Sequence, residues 1–330
     1  MRIVFHGDNA ATFSDNFAAL VDDAHDVRVL PDVLTTSRDR DAYAEADIII
    51  GGRFQAGLPA AATLRLFHVP GAGYDAVDLD ALPAGAVVCN CFGHEQAIAE
   101  YVLAALLLRH VPLADADARL RQGDWAYWAG ARERTHEELA GKTIGLLGYG
   151  HIGKAIAARA RAFEMQVHVA NRSVVAPSPL VDRSYALQEL APFWSSADFF
   201  VVSLPLTAAT AGIVDSRAFA AMRPSAVIVN VGRGHTIDER ALYDALAHGR
   251  IGGAIIDTWY NYPSPGAAHP MPSALPFHAL PNIVMTPHMS GWTSGTIRRR
   301  QLTMAANIKR LVAGQPLQNV VRPARPAAGR

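Results

Sequence analysis

Short apolar runs alternate with segments of helical character from Met1 to about Asn90. We expect these runs to be buried strands, and they comprise residues 3–5, 27–30, 47–50, 64–69 and 86–89. Apolar runs separated by helical segments are typical of a parallel sheet whose strands are joined by crossover helices. The pattern therefore predicts an α/β region in the first part of the chain.

A long segment from about Glu95 to Arg121 follows, with apolar residues on nearly every face. It predicts one helix packed between layers or against a second copy, and it is the expected hinge into a second domain. One more helix is expected from about Ser294 to Leu311, and a frayed tail from Pro323. Between these helices the alternation resumes and predicts six buried strands of a doubly wound fold, at residues 143–147, 166–170, 199–204, 226–230, 253–257 and 283–286.

Composition narrows the class of protein. The chain has 330 residues, half of them apolar and 18% charged, which is enough for two hydrophobic cores. Lysine plus arginine equals aspartate plus glutamate at 30 each, so no net charge attracts nucleic acid or an anionic membrane. The predicted partner is therefore a small molecule or a second copy of the chain.

The N-terminal sequence and the cysteines bear on the compartment. MRIVFHGD lacks the features of a signal peptide, and the apolar stretch from Tyr101 to Leu108 is far shorter than the roughly 20 residues that span a bilayer. Cys89 and Cys91 are the only cysteines, and we interpret them as thiols in a reducing compartment. We therefore expect a cytoplasmic protein with no membrane segment and no metal centre.

The run GYGHIG joins a predicted strand to a predicted helix. Gly148 permits a tight turn, Gly150 lets the backbone approach a pyrophosphate, and Gly153 lets the helix pack on the strand. The helix N-terminus then offers free N–H groups and a positive dipole end to phosphates. The motif predicts a dinucleotide site.

The acidic residue expected at the end of the next strand, where it would bind the ribose hydroxyls, is absent. Asn171 stands there, followed by Arg172 and Ser173. A carboxylate would repel a 2′-phosphate, whereas an amide, a guanidinium and a hydroxyl can bind one. The sequence therefore predicts NAD(P), with NADP slightly favoured over NAD; the alternative is a solvated Arg172 and no discrimination.

Two later residues have side chains suited to binding an anion and to transferring a proton, and a solvated surface position is the alternative for each. Arg233, between two glycines that would let a ligand approach closely, can bind a carboxylate in bidentate fashion. His288, on a loop after the last predicted strand, can transfer a proton near neutral pH.

The stretches VNVGRGHTIDERALYDALAHGRIGGAIIDTW, SLPLTAAT, TPHMSGW and GYGHIG together resemble the D-isomer-specific 2-hydroxyacid dehydrogenase family. PGAGYDAVDLDAL and IAEYVLAALL extend the resemblance towards the N-terminus. It implies two Rossmann-like domains with doubly wound parallel sheets, an active site in the interdomain cleft and a homodimer. The substrate-binding domain would comprise residues 1–92 and 293–330, and the dinucleotide-binding domain residues 93–292.

The resemblance also implies roles for further residues. The amides around Ala72 and Gly73 would receive the substrate carboxylate, and Asp257 would hold the nicotinamide carboxamide. Independently of the resemblance, Trp292 belongs to a set of aromatic residues that are candidates to contact the substrate, and packing in the core or at a dimer interface is the alternative for them. An ordinary turn at Gly73 and a cap at Asp257 are the structural alternatives. Beyond Gly148, Gly150, Gly153, Asn171, Arg172, Ser173, Asp257 and His288, the expected cofactor contacts are Tyr149, His151, Ile152, Leu204, Pro205, Thr207, Val231 and Gly232.

The chain departs from the family pattern at Tyr262, which stands where most members have the Glu that orients and charges the catalytic His. A neutral tyrosine orients an imidazole without favouring its cation, so we expect the pKa of His288 to be lower by about one unit than in Glu-bearing relatives. Reduction of the substrate carbonyl, which needs a protonated His288, should then be fastest at acidic pH.

Formate dehydrogenases also lack this Glu, and WYNYPSPGAAHPM is similar to their proline-rich stretch. They place Asn where this chain has His94, however, which indicates a different substrate. His94 with Glu95 is a candidate replacement acid–base pair; the alternative is that both only cap a helix.

Two other functions stay open at this point. One is formate-dehydrogenase-like hydride abstraction from a small anion, and the other is a dinucleotide-sensing protein like the corepressors that share this fold. The sequence favours an NAD(P)-dependent enzyme that interconverts 2-oxo acids and D-2-hydroxy acids, with Arg233, His288, Tyr262 and His94 as candidate catalytic residues.

Overall fold

The structure is a computed structural model that describes residues 1–22, 25–264 and 267–325. The described residues form the strands β1 (Arg2–His6), β2 (Asp26–Leu30), β3 (Ile48–Gly51), β4 (Leu66–His68), β5 (Val87–Cys89), β6 (Thr143–Leu147), β7 (Gln166–Asn171), β8 (Arg183–Ala186), β9 (Phe199–Val202), β10 (Val227–Asn230), β11 (Gly253–Ile256), β12 (Ile283–Met285) and β13 (Val320–Arg322). They form the α-helices α1 (Asp8–Ala11), α2 (Phe17–Leu20), α3 (Ser37–Ala44), α4 (Glu95–His110), α5 (Leu113–Leu120), α6 (His151–Ala162), α7 (Ala191–Trp194), α8 (Ser216–Ala221), α9 (Glu239–Ala247) and α10 (Ser294–Val312).

The chain divides into two compact units. Unit 1 comprises Met1–Gly93 together with Thr293–Arg330, of which the structure describes residues up to 325. Unit 2 comprises His94–Trp292, of which residues 265 and 266, within the proline-rich stretch, lie outside the described part.

Unit 1 is built on a six-stranded sheet in the order β2-β1-β3-β4-β5-β13. The first five strands are parallel, and β13 pairs antiparallel with β5. The inner strands β1, β3 and β4 are buried at nearly every position because both faces of the sheet are covered: Ile3 and Phe5 belong to one buried cluster and Val4 to the other. Helix α10 contributes Met304, among other residues, to the cluster that contains Ile3.

Strand β13 ends on a buried arginine that the sequence analysis did not single out. The guanidinium of Arg322 donates to the carbonyls of Leu79, Leu82, Pro83 and Ala86. Four carbonyl acceptors offset the cost of taking this charge out of water. The tail predicted to fray from Pro323 still forms a backbone hydrogen bond from Arg325 to Ala84, 2.8 Å long, and residues 326–330 lie outside the described part.

Unit 2 contains a parallel sheet in the order β8-β7-β6-β9-β10-β11-β12. The order reverses at β6, which pairs with β7 on one side and β9 on the other. The loop that follows β6 therefore lies at the switch point, where open α/β sheets bind their ligands. The sequence predicted six of these strands and missed β8, because its residues RSYA contain no apolar run.

The single long helix expected from Glu95 to Arg121 is wrong. Helix α4 ends at His110 and α5 begins at Leu113, with Val111 extended before Pro112. A proline has no N–H to donate and disfavours helical geometry in the residue before it, which explains the break. Among the described residues no single helix is long and apolar enough to cross a membrane; α4 and α5 together satisfy the length and composition, with a 50° bend between them.

Candidate active site

The glycines of the loop after β6 differ in what surrounds them. Gly148 has a φ of +104°, a left-handed conformation that favours glycine. A Cβ at Gly153 would lie 2.3 Å from the Gly148 carbonyl oxygen, so helix α6 can pack on this loop only without a side chain there. A Cβ at Gly150 would meet nothing within 4 Å, so this face of the loop is open to a ligand.

This loop suits the pyrophosphate of a dinucleotide. Gly150 is the N-cap of α6 and has no side chain with which to cap it, and the first N–H groups of a helix are the groups that bind phosphates. Tyr149, His151 and Ile152 lie on the same turn, and burial raises the pKa of the Tyr149 phenol, which keeps it neutral. An open glycine cradle beside a helix N-terminus is what a bound NAD(P) requires.

Asn171 ends β7 and is tied to the glycine loop. Its Oδ1 accepts a hydrogen bond from the Tyr149 N–H (3.4 Å), and its Nδ2 donates to the Ser173 carbonyl (3.2 Å). The side chains of Arg172 and Ser173 are exposed. The residues predicted to recognise the adenine ribose thus lie next to the loop predicted to hold the phosphates.

The loop that carries Arg233 is wedged between two neighbouring loops. A Cβ at Gly232 would lie 2.7 Å from the Leu204 carbonyl oxygen, and one at Gly234 would lie 2.2 Å from that of Trp259. These glycines therefore admit protein backbone, whereas the sequence analysis expected them to admit a ligand. Pro205 and Thr207, beyond buried Leu204, are exposed.

A buried asparagine that the sequence analysis overlooked braces this loop. Asn230, at the end of β10, accepts from the Gly232 N–H (3.1 Å) and donates to the Arg233 carbonyl (3.0 Å). The Arg233 carbonyl also accepts the hydroxyl of Thr236 at 2.6 Å. The backbone at Gly232 and Arg233 is thereby fixed, and the half-buried Arg233 side chain extends from a rigid segment.

His288 is held by Tyr262, the residue that replaces the family Glu. The Tyr262 hydroxyl lies 2.8 Å from His288 Nδ1 and accepts the N–H of Trp259 at 3.1 Å. His288 has a φ of +57°, which is left-handed and unfavourable for a residue with a side chain. The two residues therefore form the pair that the sequence suggested, on loops that follow β11 and β12.

Asp257 organises the loop of His288. It is fully buried, and its carboxylate accepts the N–H groups of Met289 (2.8 Å) and Ser290 (3.0 Å) together with the hydroxyl of Thr286 (2.7 Å). The Trp259 indole N–H donates to the Thr286 carbonyl at 2.8 Å. The sequence predicts a cofactor role for Asp257, whereas its hydrogen bonds to this loop depend on residues 29 to 33 positions away and are not predicted from it.

The other candidates of unit 2 are placed as follows. His94 is the N-cap residue of α4 but makes no capping bond with its side chain, and both His94 and Glu95 are buried. A Cβ at Gly291 would lie 3.3 Å from that of His94, so His94 packs beside the segment that follows His288. The Trp292 side chain is 41% exposed.

In unit 1, Ala72 and Gly73 lie on the half-buried loop that follows β4. Asn90, which the sequence analysis also overlooked, donates from its Nδ2 to the Ala72 carbonyl at 2.8 Å. The Cys91 N–H donates to the Gly71 carbonyl at 3.0 Å. These bonds use the carbonyls of the loop and fix its path.

Among the described residues, no three His, Cys, Asp or Glu side chains are grouped so as to hold a metal ion. Cys89 and Cys91 are free thiols in the core of unit 1, and burial raises the pKa of each to about 12. They are therefore protonated at neutral pH and are neither nucleophiles nor ligands there.

Comparison with known proteins agrees with this geometry. The family model described as D-isomer specific 2-hydroxyacid dehydrogenase, NAD binding domain, matches residues 102–290. A glyoxylate/hydroxypyruvate reductase B from Pectobacterium atrosepticum is 31% identical over 295 residues, which cover 86% of this chain and 88% of that one.

Two further proteins extend the comparison. A D-3-phosphoglycerate dehydrogenase from Mycobacterium leprae is 34% identical over 80% of this chain, which spans only 48% of that relative's length. A crystal structure of an NADPH-dependent glyoxylate/hydroxypyruvate reductase from Sinorhizobium meliloti, in complex with NADP and malonate, superimposes with a TM-score of 0.78 at 27% identity and covers 99% of both chains. The glycine cradle, the Arg233 loop and the His288 pair thus lie in a chain that belongs to the D-isomer specific 2-hydroxyacid dehydrogenase family.

Proposed function

We propose that the protein is an NAD(P)-dependent oxidoreductase that interconverts 2-oxo acids and D-2-hydroxy acids. The observation that carries the proposal is the 2.8 Å contact between Tyr262 and His288 Nδ1. It orients a proton-transferring group at the end of the sheet that bears Arg233 and the glycine cradle. The glycine cradle, Asn171 and the loops at Leu204 and Val231 would hold the cofactor in unit 2.

Carbonyl reduction needs a hydride at carbon and a proton at oxygen. A nicotinamide cofactor, when bound, would supply the hydride. Arg233 binds the substrate carboxylate and stabilises the negative charge that grows on the carbonyl oxygen. Because Tyr262 engages Nδ1, His288 Nε2 is the nitrogen that gives its proton to that oxygen as the C=O double bond becomes a single bond.

Tyr262 orients the ring but brings no charge to it. Its hydroxyl already accepts the Trp259 N–H, and it retains one lone pair and one proton with which to meet either protonation state of Nδ1. A neutral partner does not favour the imidazolium as a carboxylate would. Reduction, which consumes the His288 proton, is therefore expected to be strongest at acidic pH.

Asn171, Arg172 and Ser173 support a preference for NADP. No carboxylate ends β7, and the exposed Arg172 guanidinium can pair with a 2′-phosphate. The NADP complex of the reductase from Sinorhizobium meliloti supports this choice.

The remaining assignments belong to the same proposal. Unit 1 would bind the substrate carboxylate through the amides of Ala72 and Gly73, Asp257 would hold the nicotinamide carboxamide, and Trp292 would contact the substrate. A homodimer is supported by the exposed apolar side chains of Leu113, Trp125 and Trp128, in and after α5. A cytoplasmic location accords with the two reduced, buried thiols.

The test follows the absorbance of NADPH and of NADH with glyoxylate, hydroxypyruvate, pyruvate, bulkier 2-oxo acids and formate. We expect oxidation of the reduced cofactor by at least one 2-oxo acid, and a loss of at least about a hundredfold in kcat/KM for His288→Ala and Arg233→Ala. His248→Ala, on an exposed histidine at the end of α9, is the control. Tight cofactor binding with no turnover of any 2-oxo acid, or turnover of formate alone, would overturn the proposal.

A further inference from the structure

A chain of hydrogen bonds connects helix α4 to the loop of His288. The Tyr101 hydroxyl lies 2.6 Å from the hydroxyl of Thr286, which in turn lies 2.7 Å from Asp257 Oδ1. Asp257 is fully buried, and Tyr101 and Thr286 are half-buried. All three residues belong to unit 2, and the function proposed above uses neither Tyr101 nor Thr286.

The direction of these hydrogen bonds follows from the acceptors. The backbone N–H groups of Met289 and Ser290 both donate to Asp257, whose carboxylate only accepts. The single proton of the Thr286 hydroxyl therefore points to Asp257, and Tyr101 must donate to Thr286. Burial raises the pKa of the Tyr101 phenol, so it remains a protonated donor over the range in which a histidine titrates.

The chain ends on a strained segment. His288 has a φ of +57°, a left-handed conformation that costs a residue with a side chain about 1 kcal/mol or more. Such a conformation persists only where the flanking residues are fixed. Asp257 fixes both flanks, through the Thr286 hydroxyl on one side and through the Met289 and Ser290 N–H groups on the other.

We propose that Tyr101 and Thr286 are positioning residues that act through Asp257 to hold His288 in the left-handed conformation in which its ring meets Tyr262. The effect on turnover rests on the proposed function, whereas the effect on the loop does not. Tyr101 donates to Thr286, Thr286 donates to Asp257, and Asp257 holds the backbone around His288. Helix α4 thereby takes part in the geometry of proton transfer without touching a substrate.

The variants remove one hydroxyl at a time. We expect Tyr101→Phe to lower kcat about 3- to 10-fold, Thr286→Val to lower it about 10- to 30-fold, and Thr286→Ser to stay within about 2-fold of the parent. The double variant should be no slower than Thr286→Val alone, because both changes interrupt one chain. The controls are Tyr43→Phe and Thr258→Val, whose buried hydroxyls have no hydrogen-bond partner among the described residues and should leave kcat unchanged.

Two readouts separate positioning from general destabilisation. The KM for the 2-oxo acid and the Kd for the cofactor should change by less than about 2-fold, since the residues act on the proton-transfer step. Independently of activity, amide hydrogen exchange at Met289 and Ser290 should accelerate by at least about tenfold in Tyr101→Phe and Thr286→Val, but not in the controls.

Unchanged exchange at Met289 and Ser290 in both variants would overturn the proposal, as would equal losses of kcat in Thr286→Ser and Thr286→Val. A parent protein that reduces no 2-oxo acid, but whose loop still exchanges faster in these variants, would refute the proposed function and leave the positioning chain supported.

Discussion

Tyr262 is the residue whose replacement tests most directly how His288 is oriented. Tyr262→Phe keeps the ring and removes the hydroxyl 2.8 Å from His288 Nδ1. The substitution also removes the hydroxyl that accepts the Trp259 N–H, but Tyr262 is 45% exposed, so water can take the place of that acceptor. The expected loss of activity therefore comes from the contact with His288 alone. One neutral hydrogen bond contributes about 0.5–1.5 kcal/mol, so kcat/KM for reduction should fall about 2- to 12-fold at all pH values.

Tyr262→Glu places a negative charge beside the His288 ring in addition to orienting it. Two unit charges about 4 Å apart interact by about 4 kcal/mol at an effective dielectric constant near 20, and partial exposure reduces this severalfold. About 1.4 kcal/mol remains, which corresponds to a shift of about one unit in the pKa of the histidine. Reduction requires protonated His288 and declines as the pH rises through that pKa, so the alkaline limb of the profile should move to higher pH by about one unit.

The assay is the initial rate of cofactor oxidation between about pH 5.5 and 9, with kcat/KM determined for the parent protein and both variants. Tyr127→Phe is a suitable control, because that hydroxyl donates to Asp115 on the surface at a similar 2.8 Å. An alkaline limb at the same pH in the parent protein and in Tyr262→Glu would refute the electrostatic argument. An unchanged kcat/KM in Tyr262→Phe would refute the orientation argument.

Three other predictions concern the cofactor and the stability of the chain. Asn171→Asp should raise the KM for NADPH relative to that for NADH by at least about tenfold, because a carboxylate repels the 2′-phosphate, and unchanged discrimination would contradict the NADP preference. Gly150→Ala should fold normally but bind either cofactor more weakly in titration calorimetry, whereas Gly153→Ala, whose Cβ would lie 2.3 Å from a carbonyl oxygen, should lower the Tm by several degrees; equal Tm values would contradict this distinction. Burial lowers the pKa of His68 to about 4, whereas the unfolded chain has a histidine pKa near 6.5, so the contribution of the neutral ring to stability is complete above pH 6.5 and is lost as the pH falls towards 4. We expect the free energy of unfolding, measured by denaturant titration, to fall by about 3 kcal/mol between pH 6.5 and 4. His68→Gln should abolish this fall.

The sequence predicts the strands of this fold well where they are apolar. Thr143–Leu147 is predicted to the residue, because a strand covered on both faces reads as a continuous apolar run. β8 escapes prediction because its residues RSYA, at the edge of the sheet, form no apolar run, and β13 escapes it because two valines are too short a run to indicate a strand. Pro112 alone indicates a break in the helix, but the apolar residues before and after it favour the prediction of one continuous helix.

The residues of the candidate site likewise fall into those that the local sequence predicts and those that it does not. Gly148, Gly150 and Gly153 follow from backbone sterics and could be assigned from their spacing. Some of the residues that hold the site in place, such as Asn90 and Thr286, are ordinary polar residues whose partners lie 18 and 29 positions away in sequence. Only the fold brings those partners together, so no local pattern distinguishes them.

The antiparallel pairing of β13 with β5 has a consequence for how the protein is made. Unit 2 is encoded by one continuous segment, but the sheet of unit 1 lacks its last strand until the ribosome has passed all of unit 2. At roughly 5–20 residues per second, β5 waits on the order of ten seconds or more with an open edge, which is a template for pairing with another nascent chain. The carbonyls that later receive Arg322 remain open for the same interval. Synthesis that halts before this last strand should therefore release a chain with a complete unit 2 and an aggregation-prone unit 1.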